Sequence, residues 1–328
     1  MAASGTLIAV GCRVPNGTDD CDAAAILVSD GTEWSPARLG GDTARVELYA
    51  VASGPDGYAA VGRDGGSGDG TMLDGAAFVS TDGRTWTRAP DQASLKGRTM
   101  VDVAGRRGGG WIAVGAKAGP THFYGFEAWS SSDGTTWTLI ASMPDVGSAR
   151  GVAAFAGGLI AWGSDCLDVC GPPERAAVWT SNDGRTWTRA PKQPSFAGGW
   201  VDAIVATTTG ALAIGTTYDA EGNGVATAWM SKDGLSWSKT ALPDGSGYRG
   251  FHLTAAGDGL VAVGGHDDGN DTTSGTWTSS NGTRWTRLPG GDLDAVLSGL
   301  AATAADVVAV GRSSGQVGDS SVWRIRLE

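Results

Sequence analysis

The sequence lacks any apolar run approaching the ~18 to 20 residues that a membrane-spanning helix needs. It also lacks an excess of positive charge, because 24 Lys and Arg residues face 35 Asp and Glu residues, for a net charge of −11. Phosphate groups attract basic surfaces, so this balance argues against nucleic acid or an anionic membrane as a partner. A local basic pocket for an anionic ligand stays open as an alternative.

The sequence contains few of the motifs that are typical of catalytic and metal sites. The three histidines are too few and too scattered for a His-rich metal centre: His122, His252 and His266. There is no phosphate-cradling glycine motif and no Gly-x-Ser-x-Gly turn. One acidic loop holds Asp267, Asp268 and Asp271, whose oxygens could bind Ca²⁺, although a solvated loop is the alternative. We therefore expect no required cofactor, with Ca²⁺ as an option.

Cysteine is scarce and paired. Cys12 and Cys21 form one close pair, and Cys166 and Cys170 form the other, each inside a single predicted loop. Local disulfides are typical of an oxidising compartment, and neither pair has the second Cys or His pair that a zinc site needs. We expect a secreted or cell-surface protein whose signal peptide is absent from this sequence. The segment LIAVGC at Leu7 is a strand of the fold, because similar words recur internally.

What the sequence does contain is glycine, at 54 residues, and tryptophan, at 14, while only 18% of residues are charged. This composition indicates many short strands joined by tight turns, and hence an all-β protein. STDGRTWTRAP at Ser80–Pro90 returns as SNDGRTWTRAP at Ser181–Pro191. The acidic or amide residue of this turn recurs about every fifty positions, a period typical of β-propellers. Its copies are Asp30, Asp82, Asp133, Asp183, Asp233 and Asn281.

Each unit of the repeat predicts four antiparallel strands. The second strands are small, apolar and end in glycine, as expected for strands buried in the middle of a blade. These glycines are Gly62, Gly115, Gly163, Gly215, Gly264 and Gly311. The chain begins within a second strand and ends within a third, which gives seven whole or partial units. We predict one seven-bladed domain with units near 1–42, 43–95, 96–147, 148–196, 197–246, 247–292 and 293–328; six blades would leave two terminal strands unplaced.

Eleven of the 14 tryptophans occupy two positions of the repeat. Those that start fourth strands are Trp34, Trp86, Trp137, Trp187, Trp237 and Trp285, and those in third strands are Trp129, Trp179, Trp229, Trp277 and Trp323. This regularity predicts packing between blades rather than ligand stacking. Trp111, Trp162 and Trp200 fall outside both positions.

The turn predicts its own hydrogen bonds, since an Asp side chain can accept from the backbone N–H groups of its turn and Gly supplies a positive φ. The pattern resembles the Asp-box, or bacterial neuraminidase repeat, of sialidases and other secreted propellers. Here one residue fewer separates Asp82 from Gly83. In that family the motif is structural and lies far from the active site, so the resemblance implies that these turns are scaffold.

Topology then predicts where a ligand would bind. In a propeller the turns between strands three and four lie on one face, and the two-to-three loops and the inter-blade connections lie on the other. The latter are longer and do not repeat here, and both Cys pairs fall among them. We name this the long-loop face and expect function there.

Candidate binding residues stand just before the first strands: Arg45, Arg98, Arg150, Arg249, Trp200 and Tyr248. Recurring Arg residues around a channel mouth could bind a carboxylate, sulfate or phosphate. Sialidases clamp the substrate carboxylate with three Arg residues, so the resemblance implies that this cluster could bind a carboxylate. The alternative is that each Arg pairs with a neighbouring acid such as Asp42 or Asp102.

Candidate catalytic residues are those best placed to approach a central channel: Glu47, Asp102, Asp202 and His252. The sequence departs from sialidases, because it has no Arg-Ile-Pro segment and no Tyr that matches their nucleophile by motif. The only hints are Tyr49 close to Glu47 and Tyr248 beside Arg249.

The sequence therefore predicts a monomeric, extracytoplasmic propeller that binds a glycan or an envelope or partner protein. A sialidase-like glycoside hydrolase or lyase is the alternative, and a pure interaction scaffold is the third option. A lectin would expose Trp200, Tyr218 or the Phe123–Tyr124 pair.

Overall fold

The computed structural model describes residues 6–15, 21–31, 33–65, 73–118, 123–165, 176–196, 198–267, 272–303, 306–313 and 320–326. They form seven sheets arranged as the blades of a propeller, with all strand pairs antiparallel except one short outer pair, which confirms the predicted all-β, seven-bladed fold. Among these residues the one helical element is a 3₁₀ turn, Pro194–Phe196, so none of them forms a helix that could span a membrane.

The blades follow one another in chain order. Blade 1 contains β1 (Leu7–Arg13), β2 (Ala23–Ser29) and β3 (Trp34–Pro36). A short β4 (Arg38–Gly40) precedes blade 2, which contains β5 (Val46–Gly54), β6 (Gly57–Asp64), β7 (Asp74–Ser80) and β8 (Thr85–Arg88). Blade 3 contains β9 (Arg98–Gly105), β10 (Trp111–Ala118), β11 (Phe123–Ser131) and β12 (Thr138–Met143). Blade 4 contains β13 (Ala149–Phe155), β14 (Gly158–Ser164), β15 (Ala176–Ser181) and β16 (Thr188–Arg189).

The last three blades complete the ring. Blade 5 contains β17 (Trp200–Thr207), β18 (Gly210–Tyr218), β19 (Gly224–Ser231) and β20 (Ser238–Ser246). Blade 6 contains β21 (Tyr248–Ala256), β22 (Gly259–Asp267), β23 (Thr272–Ser279) and β24 (Thr286–Arg287). Blade 7 contains β25 (Ala295–Ala302), β26 (Asp306–Ser313) and β27 (Ser320–Arg326). β4, which the repeat pattern does not predict, pairs in parallel with β8 and covers the outer edge of blade 2.

The hydrophobic core is divided among the spaces between blades. Six apolar clusters each join two consecutive blades, from blades 1 and 2 through to blades 6 and 7. The cluster between blades 4 and 5, for example, buries Phe196, Trp229 and Trp237 together. A twisted sheet exposes two faces, so each blade depends on both neighbours to bury them.

The indole N–H groups at the two tryptophan positions donate to different parts of the chain. Third-strand indoles donate to the connection that leads into their blade, as Trp129 Nε1 does to Ser94 O at 2.9 Å. Fourth-strand indoles donate to their own turn, as Trp137 Nε1 does to Gly134 O at 3.0 Å. In the same connection Gln92 accepts from Trp137 N at 2.9 Å and so ties blade 2 to blade 3. The indole N–H groups of Trp129 and Trp137 are therefore satisfied while their rings are buried.

In blades 2 to 7 the repeat glycine lies inside the second strand, not at its end as the sequence pattern predicts, and it meets a β-bulge in the first strand of the same blade. In blade 5 the register shifts between Val201 and Ala203, opposite Gly215. A Cβ on Gly215 would lie 1.9 Å from Trp200 O, and Gly62, Gly115, Gly163 and Gly311 are covered by backbone oxygens in the same way. A bulge pushes one strand toward its partner, and only glycine leaves room for it.

The Asp-Gly turns make the hydrogen bonds that the sequence predicts. Asp82 Oδ1 accepts from Arg84 N and Thr85 N, both at 2.8 Å, and Gly83 N donates to Ser80 Oγ at 2.9 Å. Blade 6 carries Asn281 in place of Asp, and its Oδ1 accepts from Thr283 N at 2.9 Å and Arg284 N at 3.0 Å. The backbone N–H groups of Thr85 and Arg84 lower the pKa of Asp82.

Replacement of a covered glycine should unfold the blade. We expect Gly215→Ala to lower the free energy of unfolding by about 3 kcal/mol or more, because a methyl group has no room beneath the Trp200 carbonyl. Urea denaturation measures the change. Gly108→Ala is the control, since a Cβ there meets no atom within 4 Å; equal losses in both variants would contradict the role of the bulge.

The turn carboxylate should matter mainly as an acceptor. We expect Asp82→Ala to cost about 1 kcal/mol of unfolding free energy and Asp82→Asn clearly less, because Asn281 makes the same contacts in blade 6. The pKa of Asp82 is lowered on folding, so its ionic contribution is present above the unfolded value and is lost as pH falls through the folded one. Urea titrations at pH 7 and pH 3 test this; an Asn variant as acid-sensitive as the parent would contradict it.

Candidate functional site

A channel of about 840 Å³ runs through the centre of the ring. Residues of the first strands β5, β9, β13, β17, β21 and β25 line it, and most of them are small and apolar. Three of the four candidate catalytic residues lie in this lining: Asp102, Asp202 and His252. The structure thus places them at the channel, as the sequence analysis expected, while their role in catalysis stays a prediction.

Asp102 connects two blades. Its Oδ1 accepts from Val103 N at 2.8 Å in blade 3, and its Oδ2 accepts from Val152 N at 2.9 Å in blade 4. The carboxyl group is surrounded by protein but reaches the channel at one side. Burial raises its pKa to about 7, against the opposing effect of the two N–H groups.

The other polar groups of the channel wall make comparable contacts. Asp202 Oδ2 accepts from Phe251 N of blade 6 at 3.1 Å, and Asp202 O accepts from Trp162 Nε1 of blade 4 at 3.1 Å. His252 Nε2 lies 3.2 Å from Leu297 O of blade 7, and since a carbonyl only accepts, Nε2 carries the proton. Burial lowers the pKa of His252, which favours the neutral ring. We name Asp102, Asp202, Trp162 and His252 the inter-blade clips.

The fourth candidate acid, Glu47, lies near the start of β5 and is held by two neighbours. Its Oε2 accepts from Tyr49 Oη at 2.9 Å and lies 2.8 Å from Arg63 Nη2. Burial and the Glu47 carboxylate both raise the pKa of Tyr49. The phenol is therefore held in its protonated form, whereas a tyrosine nucleophile needs its proton removed. Arg63 was not among the residues singled out from the sequence, because only the register of β5 with β6 brings it to Glu47.

The candidate arginines at the first strands have different surroundings. Arg98 Nε lies 2.9 Å from the buried Glu127 Oε2, at an angle that makes the contact an ion pair rather than a hydrogen bond. Arg150 places its guanidinium 3.6 Å from the ring centre of Trp200, in the next blade. Both arginines therefore have local partners. For Arg98 this is the salt bridge that the alternative predicted, but the acid is Glu127 rather than Asp42 or Asp102.

The remaining candidates divide into exposed and packed side chains. Arg45 and Arg249 are exposed, and Arg45 has a φ of 56°. Tyr248 is buried against Trp277, with ring centres 4.9 Å apart, and its Oη accepts from Arg287. Tyr248 is thus part of the packing between blades 5 and 6.

Other predictions for this face concern its loops. Cys12 and Cys21 form the expected disulfide, which closes the loop between β1 and β2. Cys166, Cys170, His122, Asp268 and Asp271 lie outside the described residues, as do the side chains of Asp267 and Phe123. The second pairing and the Ca²⁺ site therefore stay predictions.

One patch of the long-loop face combines exposed aromatic and cationic groups. Trp200 pairs with Thr216 where β17 meets β18, and Tyr218 follows two residues later at the end of β18. Tyr218 is 45% exposed, and Arg150 stacks on Trp200 from the neighbouring blade. We name Arg150, Trp200 and Tyr218 the blade 5 rim. The sequence pointed to all three residues but not to the stacking, which depends on the contact between blades.

The titration of Asp102 should be visible in stability. Its folded pKa lies above the unfolded value, so the folded state retains a proton that the unfolded chain releases between about pH 4 and 7, and stability falls as pH rises through that window. We expect Asp102→Asn to remove about 1 to 2 kcal/mol of this pH dependence, the water-accessible side of the channel limiting the effect. Urea unfolding at pH 5 and pH 8 measures the slope, with Asp56→Asn as the charge-matched control. A slope unchanged by Asp102→Asn would contradict the account.

Comparison with known proteins shows the fold alone. No family model and no curated protein matches the sequence. Among solved structures, YCF48 bound to a D1 peptide aligns over 99% of this chain and 90% of its own, with a TM-score of 0.56 and 12% identity. The exo-β-1,3-galactanase of Phanerochaete chrysosporium with β-1,3-galactotriose aligns over 68% of this chain and 58% of its own, with a TM-score of 0.44 and 12% identity. A thermostable family-43 glycoside hydrolase covers 69% of this chain and 88% of its own, with a TM-score of 0.41 and 12% identity.

Proposed function

We propose that the protein is an extracytoplasmic binding propeller that holds a ligand on its long-loop face without cleaving it. One observation carries the proposal: the three candidate catalytic carboxylates are engaged in structural contacts. Asp102 and Asp202 accept backbone N–H groups of other blades, and Glu47 is held by Tyr49 and Arg63. A glycoside hydrolase of the usual kind instead needs two carboxyl groups at the scissile bond, one that protonates the leaving group and one that activates water or attacks as the nucleophile.

The blade 5 rim is the ligand site that this proposal favours. Tyr, Trp and Arg are enriched where proteins bind partners, because they offer large contact areas together with hydrogen-bond donors. The exposed Arg150 guanidinium stacks on the Trp200 ring, and a carboxylate or sulfate is a natural ligand for a guanidinium group. The Cys12–Cys21 disulfide and the Asp-box character of the turns support an extracytoplasmic setting.

A protein ligand is the first choice and a glycan the second. YCF48, a propeller of similar fold, is bound to a peptide, which supports a segment of a partner protein as the ligand here. An acidic glycan would use the same stacked Arg–Trp pair, with its ring against Tyr218. Both ligands would bind without any change of covalent structure.

A sialidase-like hydrolase is the second candidate function, and one contact favours it. Tyr49 Oη donates to Glu47 Oε2 at 2.9 Å, and sialidases pair a tyrosine with a glutamate in this way. The pKa of Tyr49 is raised, however, so Glu47 would have to accept the phenolic proton before Tyr49 Oη could attack a substrate. Shortened glycans that disappear with Tyr49→Phe would establish this alternative.

Native mass spectrometry with a mixed library of acidic peptides and of neutral and acidic glycans tests the proposal. We expect retained ligands of unchanged mass, and at least tenfold weaker binding in the double variant Arg150→Ala/Tyr218→Ala. Arg185→Ala, an exposed arginine at the Asp-Gly turn of blade 4, is the matched control and should bind normally. Cleaved glycans, or a loss of binding in the control alone, would overturn the proposal.

A further inference from the structure

Three polar side chains of the channel wall lie at one height. In blades 2 to 7, the first-strand residues that pair with the residue before the repeat glycine are equivalent by register. This position holds Asp102 in blade 3, opposite Val114, and His252 in blade 6, opposite Val263. In blade 5 it holds Ala203, and Asp202 is the bulged residue beside it. We name Asp102, Asp202 and His252 the polar layer.

The surroundings of the polar layer leave it open to the channel. The equivalent residues of blades 2, 4 and 7 are small: Ala50, Gly151 and Gly299. All three members of the polar layer line the channel, and their strands β9, β17 and β21 are fully described. A cavity with small apolar walls and a few polar groups at one level is typical of a small-molecule site.

The side chains of the polar layer offer hydrogen-bond acceptors. A carboxylate has about four lone-pair sites, and the N–H groups of Val103 and Val152 use one on each oxygen of Asp102. His252 Nε2 carries its proton toward Leu297 O, so Nδ1 keeps a lone pair, to which none of the described residues donates. A ligand at this level must therefore supply the donors.

The charge of the channel wall has one sign. Among the described residues, the lining contains the carboxyl groups of Asp102 and Asp202 and no Lys or Arg. No charged side chain from the strands packed against β9 lines the channel, and several have other partners: Glu47 with Arg63, Asp64 with Arg88, Arg98 with Glu127, and Arg150 with Trp200. Burial raises the pKa of Asp102 to about 7, and no cation of the wall offsets this effect.

We propose that the polar layer binds a small organic cation, an ammonium group on an aliphatic chain. The ammonium group donates to Asp102, Asp202 and His252 Nδ1, and the aliphatic chain lies against the small apolar residues of the channel. Ca²⁺ fits this layer poorly, because it takes about six to eight oxygen ligands. The site is separate from the blade 5 rim and does not depend on the function proposed for it.

Binding of the cation should be linked to the proton of Asp102. Below about pH 7 the carboxyl group keeps its proton, and the proton competes with the ammonium group for the same oxygens. The pKa of His252 is lowered by burial, so its ring stays neutral as the pH rises through this window. We therefore expect affinity to increase about tenfold from pH 6 to pH 8, with release of a proton on binding near pH 7.

Isothermal titration calorimetry of the 328-residue chain with hexylammonium tests the proposal. Hexanol and hexanoate are the neutral and anionic controls of the same chain length. We expect saturable one-to-one binding of hexylammonium alone, with the tenfold pH dependence given above. A binding heat at pH 7 that varies with the ionisation enthalpy of the buffer measures the released proton, and this readout needs no variant.

Variants then assign the site. Asp102→Asn should weaken binding of hexylammonium at least tenfold at pH 8 and remove the pH dependence. Asp56→Asn, which neutralises an exposed turn carboxylate, should change neither. The rim variant Arg150→Ala/Tyr218→Ala should also bind hexylammonium normally, which separates this site from the blade 5 rim.

Four results would overturn the inference. Three are absence of hexylammonium binding, binding no tighter than that of hexanol, and binding that neither pH nor Asp102→Asn alters. The fourth is Ca²⁺ binding that displaces hexylammonium and requires Asp102, which would assign the polar layer to a metal ion.

Discussion

Every blade of this propeller depends on its neighbours, because a four-stranded sheet has two apolar faces and can bury neither alone. Six clusters of buried side chains fill the spaces between consecutive blades. Close contact is reached because the first strand of each complete blade bulges over the glycine of the second, as Trp200 does over Gly215. Further contacts between neighbouring blades come from the tryptophans, the connecting glutamine Gln92 and the inter-blade clips.

This requirement also decides where chemistry can occur. The acids that reach the channel are placed there by the first strands, and the same position lets them accept N–H groups from adjacent blades. Their lone pairs hold the ring together, and Asp102 retains a proton at unusually high pH as a consequence of its burial. Ligand recognition is therefore expected at the rim, where Arg150 and Tyr218 are not part of the inner wall.

Much of the fold could be predicted from the sequence because the same strand and turn pattern recurs in every blade. The Asp-Gly turns fixed the period, and the glycines of the second strands fixed the middle of each blade. The site could be predicted only in part. Spacing placed Asp102 on a first strand, but no local pattern shows that its partner is Val152 N, fifty residues away in the next blade. Likewise, the ion pairs of Arg63 with Glu47 and of Glu127 with Arg98 depend on strand register and on contacts in the folded chain. Single-sequence patterns do not show either.

Each blade is held in place by its neighbours, and Gly163 of blade 4 allows this dependence to be tested. A Cβ on Gly163 would lie 2.1 Å from the Ser148 carbonyl oxygen, whereas a Cβ on Gly108 meets no atom within 4 Å. Amide hydrogen exchange of Gly163→Ala, read by mass spectrometry beside the Gly108→Ala control, is the most direct test. We predict faster exchange in β14 and also in β10 and β18, the second strands of the two neighbouring blades, because neither blade can bury its face without blade 4. Faster exchange confined to blade 4 would contradict the dependence of the blades on one another.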